Sequence, residues 1–244
     1  MTFPNLYSWI VNKYGIGNTN NALILMMVGV VLCIVVPYLI GSLNPAIILS
    51  RKIYHDDIRS HGSGNAGTTN TLRTYGKKMA IIIFSLDLFK AALAVVFGLF
   101  TLAIMGGAIA GLFVIVGHMF PIYYRFKGGK GVACLAMVVL ILSPISFLIL
   151  MPLFILIVIM SRFVSLGSIM AVMLLPVIHN AFYVAPEGSN PSNGWTTVSF
   201  LLIMILVVYM HRENIKRLRE GKESKISFGS KKDKNAKGDK NDQP

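Results

Sequence analysis

Apolar positions along this chain come in long unbroken runs, not in alternation. No charged residue falls between Lys90 and Arg125 or between Lys130 and Arg162, and Phe163 to Pro186 and Gly188 to His211 are likewise uncharged. About 20 apolar residues suffice for a helix to cross a bilayer, whereas barrel strands would read as short alternating segments. The pattern predicts an all-α membrane protein, with candidate spans at about 21–41, 79–97, 100–118, 132–146, 147–163, 166–184 and 196–210. The fourth and fifth are short, roughly 22 Å each at 1.5 Å per residue against a core about 30 Å thick. Ser143-Pro144 supports a turn between them, since proline lacks an amide donor and disfavours helical geometry in the residue before it. One long helix over 132–161 would instead invert everything after it and put the tail from 211, with its eleven Lys and Arg residues, outside, against the charge rule.

Composition agrees: 55% of the 244 residues are apolar and 14% charged, where a soluble domain carries about 25% charged. The net charge of +13 is unevenly spread, with 21 of the 23 Lys and Arg residues in segments 42–78, 119–131, around Arg162 and from 211 onward. Cytoplasmic loops collect Lys and Arg. Seven transmembrane helices follow, with the N-terminus outside and the C-terminus cytoplasmic. Residues 1–20 are expected as an external segment, 21–210 as the membrane domain, and 211–244 as a basic tail. Its last twenty or so residues read as a disordered segment near anionic headgroups. The start, MTFPNLYSWI, has no charged region ahead of an apolar run, so no cleavable signal peptide is expected. Cys33 and Cys134 lie in apolar stretches and read as packing thiols. No internal repeat of fixed period is present.

The basic loops carry the candidate chemistry. In HGSGNAGTTNTLR (61–73), three glycines stand among Ser63, Asn65, Thr68, Thr69 and Asn70, ahead of Arg73. Consecutive amides in such glycine turns can form an anion-binding nest, and a flexible turn with a helix cap would look the same. The spacing is not that of a P-loop, nor does it open a βαβ unit. FKGGKG brackets two glycines with Lys127 and Lys130, bringing amides and ammonium groups to one anion or serving as headgroup anchors. His118, at the end of a span, reads first as an interfacial histidine. In SRFVSLGS, the hydroxyls of Ser161, Ser165 and Ser168 are spaced for one helix face, where serines also serve helix packing. His211 to Asn214, HREN, follows the last span. Asp87 and Lys90 share a face within the second span, most simply as a mutual ion pair.

No histidine is followed five residues later by aspartate, no H-E-x-x-H occurs, and no carboxylate cluster suits magnesium. No His and carboxylate stand as an evident pair. No metal, cofactor or nucleic acid is expected.

Taken in order, DIRSHGSGNAGTTNTLR, GHMFPIYYRFKGGKGVA, SRFVSLGS and HRENIKRL resemble the bacterial membrane glycerol-3-phosphate acyltransferases that use acyl phosphate as donor. The resemblance runs from about Gly41 to Lys225. It implies a seven-helix enzyme of the bacterial plasma membrane, its site facing the cytoplasm, that acylates the sn-1 hydroxyl of glycerol 3-phosphate to lysophosphatidic acid. It further implies contact with membrane lipid and with the enzyme that produces the acyl phosphate. Ser63, Arg73 and Lys130 would be catalytic, with Gly62, Gly64, Asn65, Thr69, Asn70, Lys127, Ser168, His211 and Asn214 binding substrate. Ser42, Asp57, Arg59, Asp87, Lys90, His118, Ser161 and Ser165 would be structural or of open role. The chain departs from the family pattern at Cys134 (usually Thr), Thr68 (usually Ala), Ala91 (usually Gly) and Asn44-Pro45, where a proline is shifted by one. The proton of the attacking hydroxyl would go to the donor's own phosphate or to Asp57 or His211, the only motif side chains of suitable pKa, and the family resemblance favours the phosphate. A transporter of phosphorylated metabolites would share the basic loops but needs polar residues near the midplane of both halves. A scaffold for anionic lipid would leave the glycine loops unexplained.

Overall fold

Helices surrounded by lipid need no polar face, and that is how these helices are built. A computed structural model describes residues 5–17, 19–182 and 193–226, and among them there is no strand. The helix α1 (Leu6–Tyr14) precedes α2 (Asn20–Ser42). Along α2, Leu23, Met27, Val31 and Val35 are exposed, while Gly29, Cys33, Pro37 and Gly41, every fourth residue, are buried. Lipid tails are as apolar as leucine, so helix association rests on close packing of small residues rather than on hiding large ones.

That small face packs against α5 (Lys77–Met119), a run of 43 helical residues. A straight helix of that length would reach about 64 Å, yet the His118 imidazole lies 3.3 Å from the Asp87 carboxylate. The helix therefore doubles back, through non-helical Leu102 and Ala103. Its two arms meet at Gly98 and Gly106, where a Cβ on either would strike the other's carbonyl oxygen. The sequence predicts this reversal near 98–99. It falls four residues later, because the glycines sit in the arms as their contact surface and the turn lies beyond them.

Ser143-Pro144 does make the next turn, although the boundary lies nearer the N-terminus than the predicted 146. It separates α6 (Val132–Leu142) from α7 (Pro144–Ser161), with proline in the first helical turn, where its missing amide costs nothing. The division is unequal: α6, with 11 residues, reaches only about 16 Å. After α7 come α8 (Val164–Phe182), α9 (Asn193–Met210) and α10 (Arg212–Arg219), the last two bent by 54°. By length and apolarity, α2 with α3, α5, α7 and α8 qualify as membrane spans, and α9 does if joined to α10.

The loop 42–78 is itself largely helical: α3 (Pro45–Tyr54) and α4 (Thr68–Thr74) lie within it. Asn44 caps α3 by accepting from Ile47 N at 3.2 Å, with Pro45 at the first position, and its amide also donates to Ala66 O at 3.2 Å. The expected outer loop at 185–195 lies almost wholly outside the described residues, as do the start of the N-terminal segment and the basic tail from 227.

Candidate active site

The ends of α4, α6, α8 and α9 meet at one end of the bundle, around a cavity of about 360 Å³. Its polar end is lined by Ser63, Asn65, Thr68, Thr69, Asn70, Arg73, Asp87, His118, Lys130, Ser165, Ser168, His211, Asn214 and Glu223. It continues between α6, α7 and α8 along Leu135, Val139, Phe147, Leu150, Phe154 and Leu175.

The glycine loop is shaped by Asn70. Its Oδ1 accepts from Ser63 N at 2.9 Å, and its Nδ2 donates to His61 O at 2.9 Å and Ile58 O at 3.1 Å. Gly62 has φ +56, and a Cβ there would collide with the Asn70 amide, so only glycine satisfies both backbone and space. Much of the expected amide nest is spent internally: Gly64 N donates to His61 O and Gly67 N to Asn65 O. Contacts to an anion therefore fall mainly to side chains. Among them Thr68 Oγ1 is buried without a partner.

In the second loop the amides of Gly128 and Gly129 donate to the carbonyls of Met119 and His118. They are thus not available with the lysines for a shared anion, contrary to the sequence expectation. Lys130 lines the cavity, whereas Lys127 is exposed and outside its lining. Arg59 ties the two loops together, donating to Tyr124 O at 3.1 Å and Lys127 O at 3.0 Å while pairing with Asp57 at 2.7 Å. The Asp57 carboxyl is accordingly held well below its usual range, chiefly by Arg59. Ser42 accepts from Ile122 N at 3.4 Å.

The three serines do not share a helix face. Arg162 takes φ +62 and ends α7, leaving Ser161 in α7, bonded to Ile157 O at 2.6 Å, and Ser165 and Ser168 on α8. Ser168 bonds back to Val164 O at 2.9 Å and faces the cavity.

His211 stands at the bend between α9 and α10. Its Nδ1 lies 2.8 Å from Val207 O; a carbonyl only accepts, so Nδ1 carries the proton and Nε2 is an acceptor. Burial, seconded by the Lys130 charge, pulls its pKa down to about 4, so the ring is neutral at pH 7. Lys130 itself is lowered to about 8, first by burial and then by Arg217, and donates to Asn214 Oδ1.

Asp87, Lys90 and His118 form a buried cluster: the Lys90 ammonium is 2.8 Å from Asp87 Oδ1 and donates to Leu43 O at 2.9 Å and Gly41 O at 3.2 Å. Asp87, His118 and Cys134 have ligand atoms close enough to hold a metal, but the Lys90 ammonium takes the cation's place beside Asp87 and His118. Among the described residues there are two His–carboxylate pairs that the sequence did not reveal, His118 with Asp87 and His61 with Asp56. His61 is outside the cavity lining. At His118, Lys90 takes Nδ1 and the Gly129 backbone packs against Nε2.

Sequence reasoning also missed Glu223. After α10 the chain turns at Gly221 (φ +67) and runs back across the cavity, with Arg73 donating to Ser224 O at 3.0 Å and Ile226 N to Arg162 O at 2.8 Å. Its one signal was a lone acid in the basic stretch GKESK.

Residues 31–221 match the family model described as glycerol-3-phosphate acyltransferase. A glycerol-3-phosphate acyltransferase of Finegoldia magna is 38% identical, over 84% of this chain and 98% of the relative. One from Syntrophomonas wolfei is 40% identical over 80% and 95%. Crystal structures of PlsY (YgiH), an integral membrane glycerol 3-phosphate acyltransferase, superpose with TM-scores of 0.73 for the glycerol 3-phosphate form and 0.70 for the lysophosphatidic acid form, at 32% and 30% identity. Each covers 81% of this chain, and 96% and 95% of the matched chain respectively.

Proposed function

The chain belongs to the glycerol-3-phosphate acyltransferase family, and on that premise we propose that its donor is an acyl phosphate and its acceptor the sn-1 hydroxyl of glycerol 3-phosphate. The observation that carries this reading is the two-part cavity, which joins a cluster of phosphate-complementary donors to an apolar groove.

The donor's carbonyl is already activated as a mixed anhydride, so the task is to hold two phosphates together away from water. Ser63, Thr68, Thr69 and Arg73 hold the donor phosphate, and Leu135, Val139, Phe147 and Phe154 receive its acyl chain. Ser168, His211, Asn214 and Lys130 hold glycerol 3-phosphate. Lys130 and Arg73 face both anions. The hydroxyl oxygen attacks the acyl carbon, the bond from that carbon to the phosphate oxygen breaks, and the proton leaves on the departing phosphate. Orientation supplies much of the rate, up to roughly 7–11 kcal/mol of barrier for well-placed reactants, and the two cations stabilise charge gathering on the carbonyl oxygen and leaving phosphate.

We further place α2, the two arms of α5, and α6 to α9 as seven crossings of the bacterial plasma membrane, N-terminus outside, with the cavity open to the cytoplasm. The basic segments flanking the cavity support that orientation.

Purified protein given palmitoyl phosphate and glycerol 3-phosphate is expected to release 1-acyl lysophosphatidic acid and inorganic phosphate. Activity with acyl-CoA or acyl-carrier protein but not palmitoyl phosphate would overturn the donor, and a 2-acyl primary product the regiochemistry. Labelling of single cysteines placed near 64 and 129 from inside the cell only, and near 190 from outside, tests the topology.

A further inference from the structure

Glu223 makes no contact that the acyl transfer itself requires, yet its side chain is 4% exposed and fully engaged. Oε1 accepts from Ser165 Oγ at 2.9 Å and from Asn214 Nδ2 at 2.7 Å, and Oε2 accepts from Arg217 Nε at 2.8 Å. The Asn214 amide thus has one chemically permitted orientation. A carboxylate can only accept, so Nδ2 must face Glu223, and an ammonium can only donate, so Oδ1 must face Lys130.

We propose that Glu223 is a positioning residue for the acyl transfer, acting through Asn214 to aim the Lys130 ammonium into the cavity and setting the charge of the glycerol 3-phosphate end. This rests on the acyltransferase reading for its effect on turnover, but the orientation of Lys130 does not. The segment after α10 is thereby part of the site: it is anchored through Ser224 to Arg73 and through Ile226 to Arg162, and it delivers one carboxylate from outside the membrane bundle.

The charge balance follows. Lys130 is faced by Arg217 from α10, Arg73 from α4, Glu223 from the returning segment and His211, which is neutral, from the bend. Three cations with one carboxylate leave two positive charges at this end of the cavity, a balance suited to anionic substrates. Burial works against the Glu223 charge, but its hydrogen bonds from Arg217, Asn214 and Ser165 outweigh this and hold its pKa below the usual range. It is therefore ionised at neutral pH, and it opposes the loss of Lys130's proton.

The test has two independent readouts in full-length protein. The titration of Lys130 is followed by competitive acetylation across pH with mass spectrometry, and turnover by the palmitoyl phosphate assay. In Glu223→Gln, the midpoint of Lys130 is expected to fall by about one unit, and kcat by about tenfold or more as a charge-assisted bond is lost. Glu223→Asp, which keeps the charge, should hold the midpoint near its original value while lowering kcat. In an Asn214→Ala background, Glu223→Gln should lower kcat less than about twofold further, since both act on one ammonium. An unmoved Lys130 midpoint in folded Glu223→Gln, or full additivity with Asn214→Ala, overturns the proposal. Should Glu223→Gln fail to fold, additivity is read with Glu223→Asp. If the parent protein transfers no acyl group from palmitoyl phosphate, the functional reading fails, while the acetylation result still decides the role of Glu223.

Discussion

The Lys90 ammonium lies 2.8 Å from the Asp87 carboxylate and 2.9 Å from the His118 imidazole, in contact with both arms of the α5 hairpin and with the carbonyls that end α2. One side chain thus fastens three helical segments at the level where the site begins. Lys90→Met leaves Asp87 buried beside no cation. It should destabilise the protein by about 3–5 kcal/mol, as expected when one member of a buried pair is removed. Thermal unfolding in detergent checks this, and Asp87→Asn/Lys90→Met should recover part of the loss. Because the ammonium fills the place between the potential ligands, a chelator should change neither melting temperature nor turnover.

In the proposed reaction Lys130 serves as a cation, and a pKa lowered to about 8 by burial is then expected to set the alkaline limit. The protonated form exists below that value, so kcat/KM should fall as pH rises through about 8. Lys130→Arg, whose guanidinium keeps its charge, should lower the rate at pH 7 yet move the alkaline limb above pH 10. A limb that stays near 8 in this variant would assign the titration to another group.

His211 is neutral above about pH 4, so no acid limb near pH 6.5 should arise from it. Through Nε2 it offers a lone pair to the cavity, at the end where the proposed reading places glycerol 3-phosphate. His211→Ala should raise KM for glycerol 3-phosphate by about tenfold, the worth of one hydrogen bond near 1.4 kcal/mol. A drop of 10² to 10⁴-fold in kcat with substrate affinity unchanged would instead identify it as the general base.

At Gly62 the positive φ and the Asn70 amide leave no room for a side chain. Gly62→Ala should cost about 1–3 kcal/mol of local strain, expressed as a displaced loop. The expected outcome is a large loss of kcat/KM for the donor, with a melting temperature lowered by a few degrees at most where the displaced loop relieves the strain.

The helical architecture and the loops that form the site were legible in the sequence because both follow from composition and local chemistry. Uncharged stretches of bilayer length must be helical, and Ser143-Pro144 must turn. What was illegible depended on tertiary contact. The hairpin turn at Leu102-Ala103 carries neither proline nor a polar residue; the pairing of Gly98 with Gly106 decides where it falls. The serine spacing at 161, 165 and 168 suggested one helical face, but periodicity cannot register a single left-handed residue, and Arg162 is one. His61 and Asp56, five residues apart along the loop, pair only because the loop folds on itself. Glu223 sits beyond the last apolar segment, where no hydrophobic period guides the eye, and reaches the cavity because the chain reverses after α10.

The Arg59 guanidinium grips the carbonyls of Tyr124 and Lys127, both main-chain oxygens. Main-chain atoms are the same whatever residue bears them, so this clasp places its demand on one partner alone. In a saturation-mutagenesis screen for growth, position 127, whose side chain is exposed, should accept broad substitution, and position 124 only residues that keep its packing against Ile58 and its neighbours. Position 59 should accept little, although it never touches the cavity. Tolerance across this clasp is therefore asymmetric: Arg59 carries the side chain on which the alignment of the two loops depends, while the contacts it makes at 124 and 127 ask only for a main-chain oxygen.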